Sequence, residues 1–410
     1  MTSKLLALAP YLLPRRGCVV GRRLNEYERA FAAATGSSYA IGFWKGRVAF
    51  FAALKALGIR EGDEVVMPAY TCMVIPAAVT FAGAKPVYVD IEPTYCTLDP
   101  DGLEAAITPR TRAVMIQHTY GWPAVGLDRI ADITRKHGLP VIEDCCHALG
   151  TSVGRTHVGN FGVAGFFSTQ WSKPFTTGLG GTLVCNDREF RDRVCRVRDE
   201  LASSPSATTA AQLAWQMLVY RAVVFPSTMA LARNAYRWLT SRAILTGSTA
   251  KKEYCGWQPD YLKRMCEVQA AAGLCELGQL RRTIEHRHDL ARYYADGLRE
   301  AGWSVPTWPS GADVTLLRFP VRVANKAEAL QRADKQLVEL GDWFVRPLHS
   351  HLAAQEEYGY ATGMCPHADR AANEIVNLPM HGRIHERTAR RVLAFLNATC
   401  RPAGRAGETT

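Results

Sequence analysis

The segment from Phe166 to Lys173 brings together residue types that can hold an aldehyde cofactor. Lys173 follows Ser168 by five residues, and Gly178-Leu-Gly-Gly181 leads into a second apolar run, Thr182 to Cys185. A primary amine bonds to an aldehyde, while a hydroxyl and glycine backbone N–H groups hold a phosphate. The alternative interpretation is a solvated lysine beside Pro174 in an ordinary surface turn.

A second candidate group is Asp144, which ends the apolar run Leu139-Pro-Val-Ile-Glu-Asp144. Such a run is typical of a buried parallel strand, and ligands of open α/β sheets bind at the carboxyl ends of the strands. A carboxylate there can pair with a protonated pyridine nitrogen and keep that ring electron-poor. Alternatively, Glu143 and Asp144 cap the helix that follows.

A third candidate is the glycine turn at Gly46 and Arg47, which opens a helical pattern running to Leu54. The free N–H groups of a helix N-terminus bind phosphate, and an arginine adds a charge-assisted contact. The alternative is an ordinary helix start with an exposed arginine.

These candidates lie within a regular alternation of strand-like and helical segments, which predicts an α/β protein with a mainly parallel sheet covered by helices. The predicted strands are 64–70, 85–91, 113–118, 139–144, 163–168 and 181–185, and the predicted helices lie near 47–58, 74–82, 127–137 and 188–200. At 410 residues with 48% hydrophobic content, the chain can bury a large core and form two domains.

The predicted domains are an N-terminal arm (1–30), a large domain (31–265) with a helical insertion at about 201–252, and a small C-terminal α/β domain (266–400). For the small domain, the sequence predicts a long helical stretch to about 300, a strand at 316–321, a helix over 326–340 and a final helix near 385–398. We expect residues 401–410 to form a disordered tail.

The order of phosphate turn, strand-end aspartate and Ser-x-x-x-x-Lys with Gly-x-Gly-Gly resembles the fold type I pyridoxal phosphate enzymes. It resembles most closely the DegT/StrS-type sugar aminotransferases, in the subset with Gly-Arg at the first turn, and the match runs nearly end to end. Further matching segments are 58–68, 83–90, 118–121, 159–162, 264–270 and 378–381.

The resemblance implies that Lys173 bonds to the cofactor and moves the proton between substrate and cofactor. It implies that Asp144 contacts the pyridine nitrogen and that His147 lies near the ring oxygen; the alternative for His147 is a structural histidine. It assigns the phosphate to Gly46, Arg47 and Ser168.

Three positions depart from the family pattern. Cys72 stands where many relatives place an aromatic ring that stacks on the cofactor, so Tyr70 or His147 is the expected cover of that face. Gln170 replaces a frequent histidine, which leaves an auxiliary acid/base role there unsupported. Leu262 replaces an asparagine that reaches the phosphate from the neighbouring subunit, and Lys263 or Arg264 is the expected substitute.

The resemblance implies a homodimer with shared active sites that transfers nitrogen from an amino acid, L-glutamate, to a nucleotide-linked keto-sugar in amino sugar biosynthesis. Retention of Lys173 argues against the dehydrating branch of the family, in which histidine replaces this lysine. Two alternatives remain open: the same chemistry on a cyclitol or lipid-borne ketone, and a cofactor-binding scaffold or regulator that has lost catalysis. Arg346, His349 and His351 are candidate substrate residues from the small domain, or else surface loop residues.

The basic charge is concentrated in two segments without acidic residues, 1–25 and 201–252, which account for the whole net charge of +11. The balanced remainder does not support a nucleic-acid-binding surface. The twelve cysteines lack zinc or disulfide spacing and predict reduced thiols and no metal.

Segment 201–252 reads as two helices divided by Pro226, each too short to span a membrane. Its apolar and aromatic residues beside arginines fit a membrane interface, an anionic, partly apolar substrate, or a hairpin packed on its own domain or on a partner subunit. We therefore expect a cytoplasmic protein with possible peripheral membrane contact through this segment.

Overall fold

A seven-stranded sheet forms the centre of the structure, a computed structural model that describes residues 7–223, 262–349 and 355–403. The strand order is β1-β10-β9-β6-β5-β2-β4, and β10 alone runs antiparallel to its neighbours in this sheet. The seven strands are β1 (Tyr39–Phe43), β2 (Glu64–Pro68), β4 (Lys85–Val89), β5 (Thr111–Gln117), β6 (Val141–Asp144), β9 (Ala164–Ser168) and β10 (Gly181–Cys185).

Shorter strands and twelve α-helices complete the described part of the chain. The strands are β3 (Thr71–Cys72), β7 (Ser152–Val153), β8 (Thr156–His157), β11 (Ala312–Asp313), β12 (Phe319–Arg322), β13 (Leu348–His349) and β14 (Ile375–Leu378). The helices are α1 (Arg23–Thr35), α2 (Gly46–Ala56), α3 (Val74–Phe81), α4 (Pro100–Ala106), α5 (Leu127–Lys136), α6 (Arg188–Leu201), α7 (Ala207–Val223), α8 (Glu267–Leu277), α9 (Leu280–Glu300), α10 (Lys326–Lys335), α11 (Pro366–Glu374) and α12 (Glu386–Thr399).

The sheet is apolar on both faces because helices cover both. Val65 and Met67 of β2 pack into one core cluster with α2, α3 and α6, whereas Val66, between them, packs into another with α4 and α5. This alternation follows from the period of two along a strand, and the burial of both faces explains why the strands read as continuous apolar runs.

Three parallel strands end at the same edge of the sheet. β1, β6 and β9 all point the same way, and their last residues are Phe43, Asp144 and Ser168. The antiparallel strand β10 begins at this edge with Gly181, which pairs with both Phe43 and Ser168. The edge therefore gathers the residues on which the sequence predicts cofactor chemistry.

The C-terminal part packs around its own core and also reaches the large sheet. Phe319 of β12, Tyr294 of α9 and Leu396 of α12 are buried together with Tyr70 and Tyr120 from the N-terminal half of the chain. Strand β13 pairs in parallel with β3, with His349 opposite Cys72. This short pairing brings residues 343–349 to the functional edge of the sheet.

All six predicted strands and the four predicted helices of the large domain are present, within a few residues of the expected bounds. The sequence analysis did not predict α1, β1 or α4. The predicted helical stretch to about 300 is divided at Gly278 and Gln279 into α8 and α9. The helix predicted over 326–340 ends at Lys335.

Helix α1 crosses the predicted end of the N-terminal arm at residue 30, and its Tyr27 and Phe31 are buried in the core. The carboxylate of Glu267 accepts the backbone N–H groups of Arg23 and Leu24 and so caps this helix from a distant part of the sequence. Residues 23–30 are thus built into the body of the protein.

Helix α7 corresponds to the first predicted helix of the 201–252 insertion. The second predicted helix of the insertion and the predicted tail at 404–410 lie outside the described residues. Within the residues that are described, no helix combines the length and apolarity needed to cross a membrane.

Candidate active site

One pocket at the functional edge is lined by all seven residues predicted to hold the cofactor. They are Gly46, Arg47, Cys72, Asp144, His147, Ser168 and Lys173. Strand ends supply Asp144 and Ser168, the start of α2 supplies Gly46 and Arg47, and the turn after β9 supplies Lys173. The convergence follows from the parallel order of β1, β6 and β9.

A network of threonines and glycines fixes the turn that carries Lys173. The backbone N–H of Lys173 donates to the carbonyl of Gln170 at 3.0 Å. Below it, the hydroxyls of Thr169 and Thr177 lie 2.6 Å apart, and a Cβ at Gly180 would lie 2.1 and 2.2 Å from those two oxygens. Only glycine fits at position 180, which gives a physical reason for the second glycine of the Gly-x-Gly-Gly motif.

The amine of Lys173 is buried, with only 9% of the residue exposed. Burial lowers the pKa of Lys173 below its ordinary value, and the nearby Cys146, Asp144 and Cys72 offset this only in part. The lowered pKa favours the neutral amine, which is the form that attacks a carbonyl and accepts a proton.

The side chains of Glu143 and Asp144 lie on opposite faces of β6 and therefore have different surroundings. Both carboxylate oxygens of Glu143 accept hydrogen bonds, from the backbone N–H groups of Gly159, Phe161 and Gly162 and from His118 Nε2. Cys145 lies close enough to His118 and Glu143 for their donor atoms to fall within 4.8 Å of one another, but the carboxylate is already committed to N–H donors. Glu143 therefore acts as a structural anchor for the loop at 159–162.

The Asp144 carboxylate lies in the pocket with Lys173. Its Oδ1 accepts the backbone N–H of Cys146 at 2.9 Å, which fixes its orientation. Burial raises the pKa of Asp144, while the Cys146 hydrogen bonds and the Lys173 charge act in the opposite direction. A buried carboxylate of this kind is suited to pairing with a cationic group that enters the pocket.

The other end of the pocket is built for a phosphate. Gly46 begins α2 so close to β9 that a Cβ there would lie 3.1 Å from Ser168 Cβ. A Cβ at Gly181 would lie 2.4 Å from the backbone nitrogen of Gly46. These two glycines let the helix N-terminus approach the Ser168 hydroxyl, and Arg47 adds a positive charge beside them.

His147 is held as a neutral ring that donates from Nε2. Its Nδ1 accepts the backbone N–H of Tyr120 at 3.2 Å, so the proton of the neutral ring resides on Nε2. Burial lowers the pKa of His147 well below its ordinary value, with further contributions from Lys173 and Arg318. This geometry fits the predicted contact with an oxygen of the cofactor ring.

Two aromatic residues near the pocket were missed by the sequence analysis. Trp343 stacks on His147 with ring centroids 5.5 Å apart, and the Lys173 Nζ lies 5.1 Å from the centroid of the Trp343 ring. Phe344 lines the pocket itself. Tyr70, by contrast, is fully buried with its hydroxyl 2.8 Å from that of Tyr120, and it does not line the pocket.

Cys72 and Gln170, two of the positions that depart from the family pattern, both line the pocket. Burial raises the pKa of the Cys72 thiol and keeps it neutral beside Lys173. Of the substrate candidates, His349 is buried against Trp343 and Phe344, whereas Arg346 is exposed and lines a separate groove with Gln355 and Asp369. His351 lies outside the described residues.

Lys263 and Arg264 do not line this pocket within their own chain. The guanidinium of Arg264 donates to the carbonyls of Asp199 and Ala202 at the end of α6, and the Lys263 Nζ lies 6.0 Å from the Trp44 ring centroid. Their predicted contact with a partner subunit's phosphate remains a prediction, and Arg264 already has a local structural role.

A wider cleft of about 700 Å³ opens from Lys173. It runs between α7 and the C-terminal part of the chain. Five basic side chains line it, Lys173, Arg282, Arg287, Arg318 and Arg383, against two acidic ones, Glu276 and Glu339. The cleft is thus basic and connects directly to the buried amine.

The set of groups in the pocket fits pyridoxal phosphate. A buried amine suits its aldehyde, a buried carboxylate suits its pyridine nitrogen, and the cradle of Gly46, Ser168 and Arg47 suits its phosphate. The fold and the site together define a pyridoxal phosphate-dependent aminotransferase. The chain belongs to the DegT/DnrJ/EryC1/StrS aminotransferase family, whose sequence profile matches residues 10–215 and 230–397.

Some relatives match nearly the whole chain and others match less than half of it. GDP-perosamine synthase from Caulobacter vibrioides is 30% identical over 384 residues, 92% of this chain and 90% of that protein. L-glutamine:scyllo-inosose aminotransferase from Streptomyces griseus is 44% identical over 179 residues, 42% of each chain. The X-ray crystal structure of DesV from S. venezuelae superposes with a TM-score of 0.74 at 26% identity, covering 96% of this chain and 93% of that one.

Proposed function

We propose that this aminotransferase moves an amino group from L-glutamate to a nucleotide-linked keto-sugar. The observation that carries the proposal is the basic cleft of about 700 Å³ that opens from the buried amine of Lys173. Such a cleft has room for a sugar at Lys173 and offers Arg282 and Arg383 to the phosphates of a nucleotide. GDP-perosamine synthase, by its name, acts on a nucleotide-linked sugar and matches along nearly the whole chain.

Pyridoxal phosphate, when bound, supplies an aldehyde carbon that carries the nitrogen and a ring that accepts electron density. Asp144 would pair with the pyridine nitrogen and, as the carboxylate, would favour the protonated ring. Lys173, whose pKa is lowered by burial, would accept the proton from the substrate carbon and return it. His147 donates from Nε2, and Gly46, Arg47 and Ser168 hold the phosphate.

A second candidate acceptor is a keto-cyclitol. The Streptomyces griseus relative, which by its name uses scyllo-inosose and L-glutamine, has the higher local identity, 44%. A cyclitol carries no nucleotide, so Arg282 and Arg383 would have no phosphate to bind. Parallel assays with L-glutamate and L-glutamine as donors, and with keto-sugar nucleotides and scyllo-inosose as acceptors, decide between the two.

The first experiment is an absorbance spectrum of the purified protein with pyridoxal phosphate, before and after addition of L-glutamate. We expect a visible band that the donor removes and that an acceptor restores. Lys173→Ala should not cycle, whereas Lys85→Ala, at an exposed site, should behave as wild type. A folded wild-type protein without the band would contradict the proposal and favour the scaffold alternative.

We further propose a homodimer with shared active sites, in which Lys263 or Arg264 serves the partner's phosphate. Sedimentation gives the number of subunits. Mixing Lys173→Ala with Lys263→Ala chains tests whether the sites are shared. If they are, one site of the mixed dimer contains Lys173 from one chain and Lys263 from the other, and activity returns. The domain bounds 31–265 and 266–400 also stay proposals; limited proteolysis tests them.

The proposed location is the cytoplasm, supported by the eleven free thiols in the described part of the chain, which suit a reducing compartment. Helix α7 exposes Trp215 (53%) and Val219 (54%), which supports peripheral contact with a membrane through 201–252. Salt-sensitive sedimentation with anionic vesicles, lost on deletion of the segment, would support this contact, and absence of binding would contradict it.

A further inference from the structure

Two arginines that line the cleft, one buried and one partly buried, have no acidic counter-ion among the residues that the structure describes. Arg287 of α9 is only 4% exposed, and its Nη1 donates to the carbonyls of Leu316 and Leu317 at 2.7 and 3.0 Å. Those two residues immediately precede Arg318, whose guanidinium lies 4.5 Å from the centroid of the Trp343 ring. Both guanidinium groups line the cleft that begins at Lys173.

Each arginine keeps one buried N–H group that no described residue accepts. The Nε atoms of Arg287 and Arg318 are both buried without a hydrogen-bond partner among the described residues. No acidic side chain in the described part of the chain forms an ion pair with either one. Glu339, whose charge acts on Arg318, instead pairs with His381 at 3.1 Å.

The two positive charges also act on each other. Burial and the charge of Arg318 lower the pKa of Arg287, and burial lowers the pKa of Arg318 despite the charges of Glu339 and Asp342. Guanidinium groups stay charged in proteins, so the protein holds two cations that repel each other, one of them buried. An anion that enters the cleft would relieve this repulsion and satisfy the buried N–H groups.

Gly341 makes room for this arrangement. A Cβ at position 341 would lie 2.6 Å from Arg318 Nη1, so the backbone packs directly against the guanidinium. Trp343 supports the Arg318 guanidinium, and the Lys173 amine lies 5.1 Å from the centroid of the same ring. Arg318 and the Lys173 amine therefore both lie next to the Trp343 ring.

We propose that Arg318, positioned by Arg287, binds the α-carboxylate of the amino-acid donor. This inference rests on the proposed aminotransferase function and names the group that recognises its donor. In an α-amino acid the carboxylate is bonded to the same carbon as the nitrogen that is transferred, so its binding site must lie close to Lys173. The planar guanidinium fork matches a carboxylate in a bidentate manner.

The phosphates of a sugar nucleotide are the other source of an anion, and the geometry disfavours them for this subsite. A keto-sugar is neutral at its reacting carbon, and its phosphates are separated from that carbon by the sugar ring. They therefore belong further from Lys173. The two sources make different predictions for the same variant.

The test measures ligand binding to the holoenzyme by calorimetry, with glutarate as a non-transferable dicarboxylate and UDP as a nucleotide probe. We expect Arg318→Gln to weaken glutarate binding about 10- to 100-fold and to leave UDP binding within about twofold of wild type. The glutarate affinity of Arg318→Lys should lie between those of wild type and Arg318→Gln, because lysine keeps the positive charge but lacks the planar guanidinium. Arg281→Gln is the matched control, since Arg281 is on helix α9 with Arg287 and its side chain is 93% exposed.

The two half-reactions provide a second readout through the cofactor absorbance. Arg318→Gln should raise the KM of L-glutamate about 10- to 100-fold, with a smaller effect on kcat and on the acceptor half-reaction. Wild type should discriminate strongly against glutamate whose α-carboxylate is a carboxamide. Arg318→Gln should largely lose that discrimination.

Equal glutarate affinity in wild type and Arg318→Gln would overturn the proposal, as would failure of wild type to bind glutarate. Weakened UDP binding with unchanged glutarate binding would assign the pair to the acceptor's phosphates instead. If glutarate binding depends on Arg318 but L-glutamate never changes the spectrum, the aminotransferase proposal fails and the carboxylate subsite stands. Unchanged half-reactions in Arg318→Gln would leave the aminotransferase function intact and refute the subsite.

Discussion

The carboxylates of Glu143 and Asp144 are adjacent in sequence and lie on opposite faces of strand β6. Glu143 is saturated by three backbone N–H groups and His118, whereas Asp144 accepts from Cys146 and faces Lys173 in the pocket. Because side chains alternate along a strand, one residue of this acidic pair anchors a loop and the other lines the pocket.

Asp144→Asn should lower kcat by about 100-fold or more while the protein stays folded. The amide keeps an oxygen for the Cys146 N–H but removes the charge that favours a protonated pyridine ring. Steady-state kinetics and the cofactor absorbance spectrum measure the effect. Asp128→Asn, at an exposed position, is the control; equal activity in both variants would refute the role of Asp144.

Glu143→Gln should destabilise the fold by about 3 kcal/mol or more. The substituted amide places an N–H donor where N–H donors already converge, so at least one buried hydrogen bond is replaced by repulsion. Urea denaturation measures the free energy of unfolding. Glu61 is exposed, so Glu61→Gln should change the free energy of unfolding little. An equally small change for Glu143→Gln would show that the hydrogen bonds of Glu143 do not stabilise the fold.

Gly181→Ala should cost about 1–3 kcal/mol of stability and weaken cofactor binding. Its Cβ would meet the backbone of Lys45 and Gly46 at 2.4 Å, so the start of helix α2 must move away from Ser168. Cofactor titration and thermal unfolding measure the two effects. At Gly17 a Cβ would meet nothing within 4 Å, so Gly17→Ala is the matched control, and a Gly181→Ala protein with wild-type cofactor affinity would contradict the cradle.

Lys173→Met should make the cofactor-free protein more stable than wild type at neutral pH, by an amount that shrinks as the pH rises. Burial lowers the folded-state pKa of Lys173, so between that pKa and the ordinary value of 10.5 the unfolded chain binds a proton that the folded chain does not. Wild-type stability therefore rises with pH across this window relative to the variant.

The measurement for Lys173→Met is urea denaturation of both cofactor-free proteins between neutral pH and pH 10.5. Lys85→Met, at an exposed site, corrects for the general effect of losing a lysine. A stability difference that stays constant or grows with pH would show that the buried amine keeps its ordinary pKa.

The sequence was sufficient to predict the half of the site that follows from local rules. Asp144, Ser168 and Gly46 occupy strand ends or a helix start, and the common direction of their strands places such residues together. The resemblance to a known family then supplied their roles. The amphipathic helix α1 carried a readable signal in Tyr27 and Phe31, which the sequence analysis did not use.

The aromatic and arginine side of the site could not be predicted in this way. Trp343 and Arg318 approach Lys173 only because the C-terminal part packs against the sheet edge through β13 and β3. That approach depends on pairing between segments far apart in the chain, and no local periodicity encodes it. Arg346 and His349 are close in sequence but lie in different surroundings. No local pattern predicts this difference, because it too depends on packing between distant segments.

The pairing of His349 with Cys72 also bears on how the protein is made. During synthesis the residues of the first half emerge long before strand β13, so the wall formed by residues 343–349 cannot be in place when the sheet first assembles. The pocket is a feature of high contact order, and its completion must come late in folding. A nascent chain that stalls before residue 349 would leave β3 without its partner strand and the pocket without this wall.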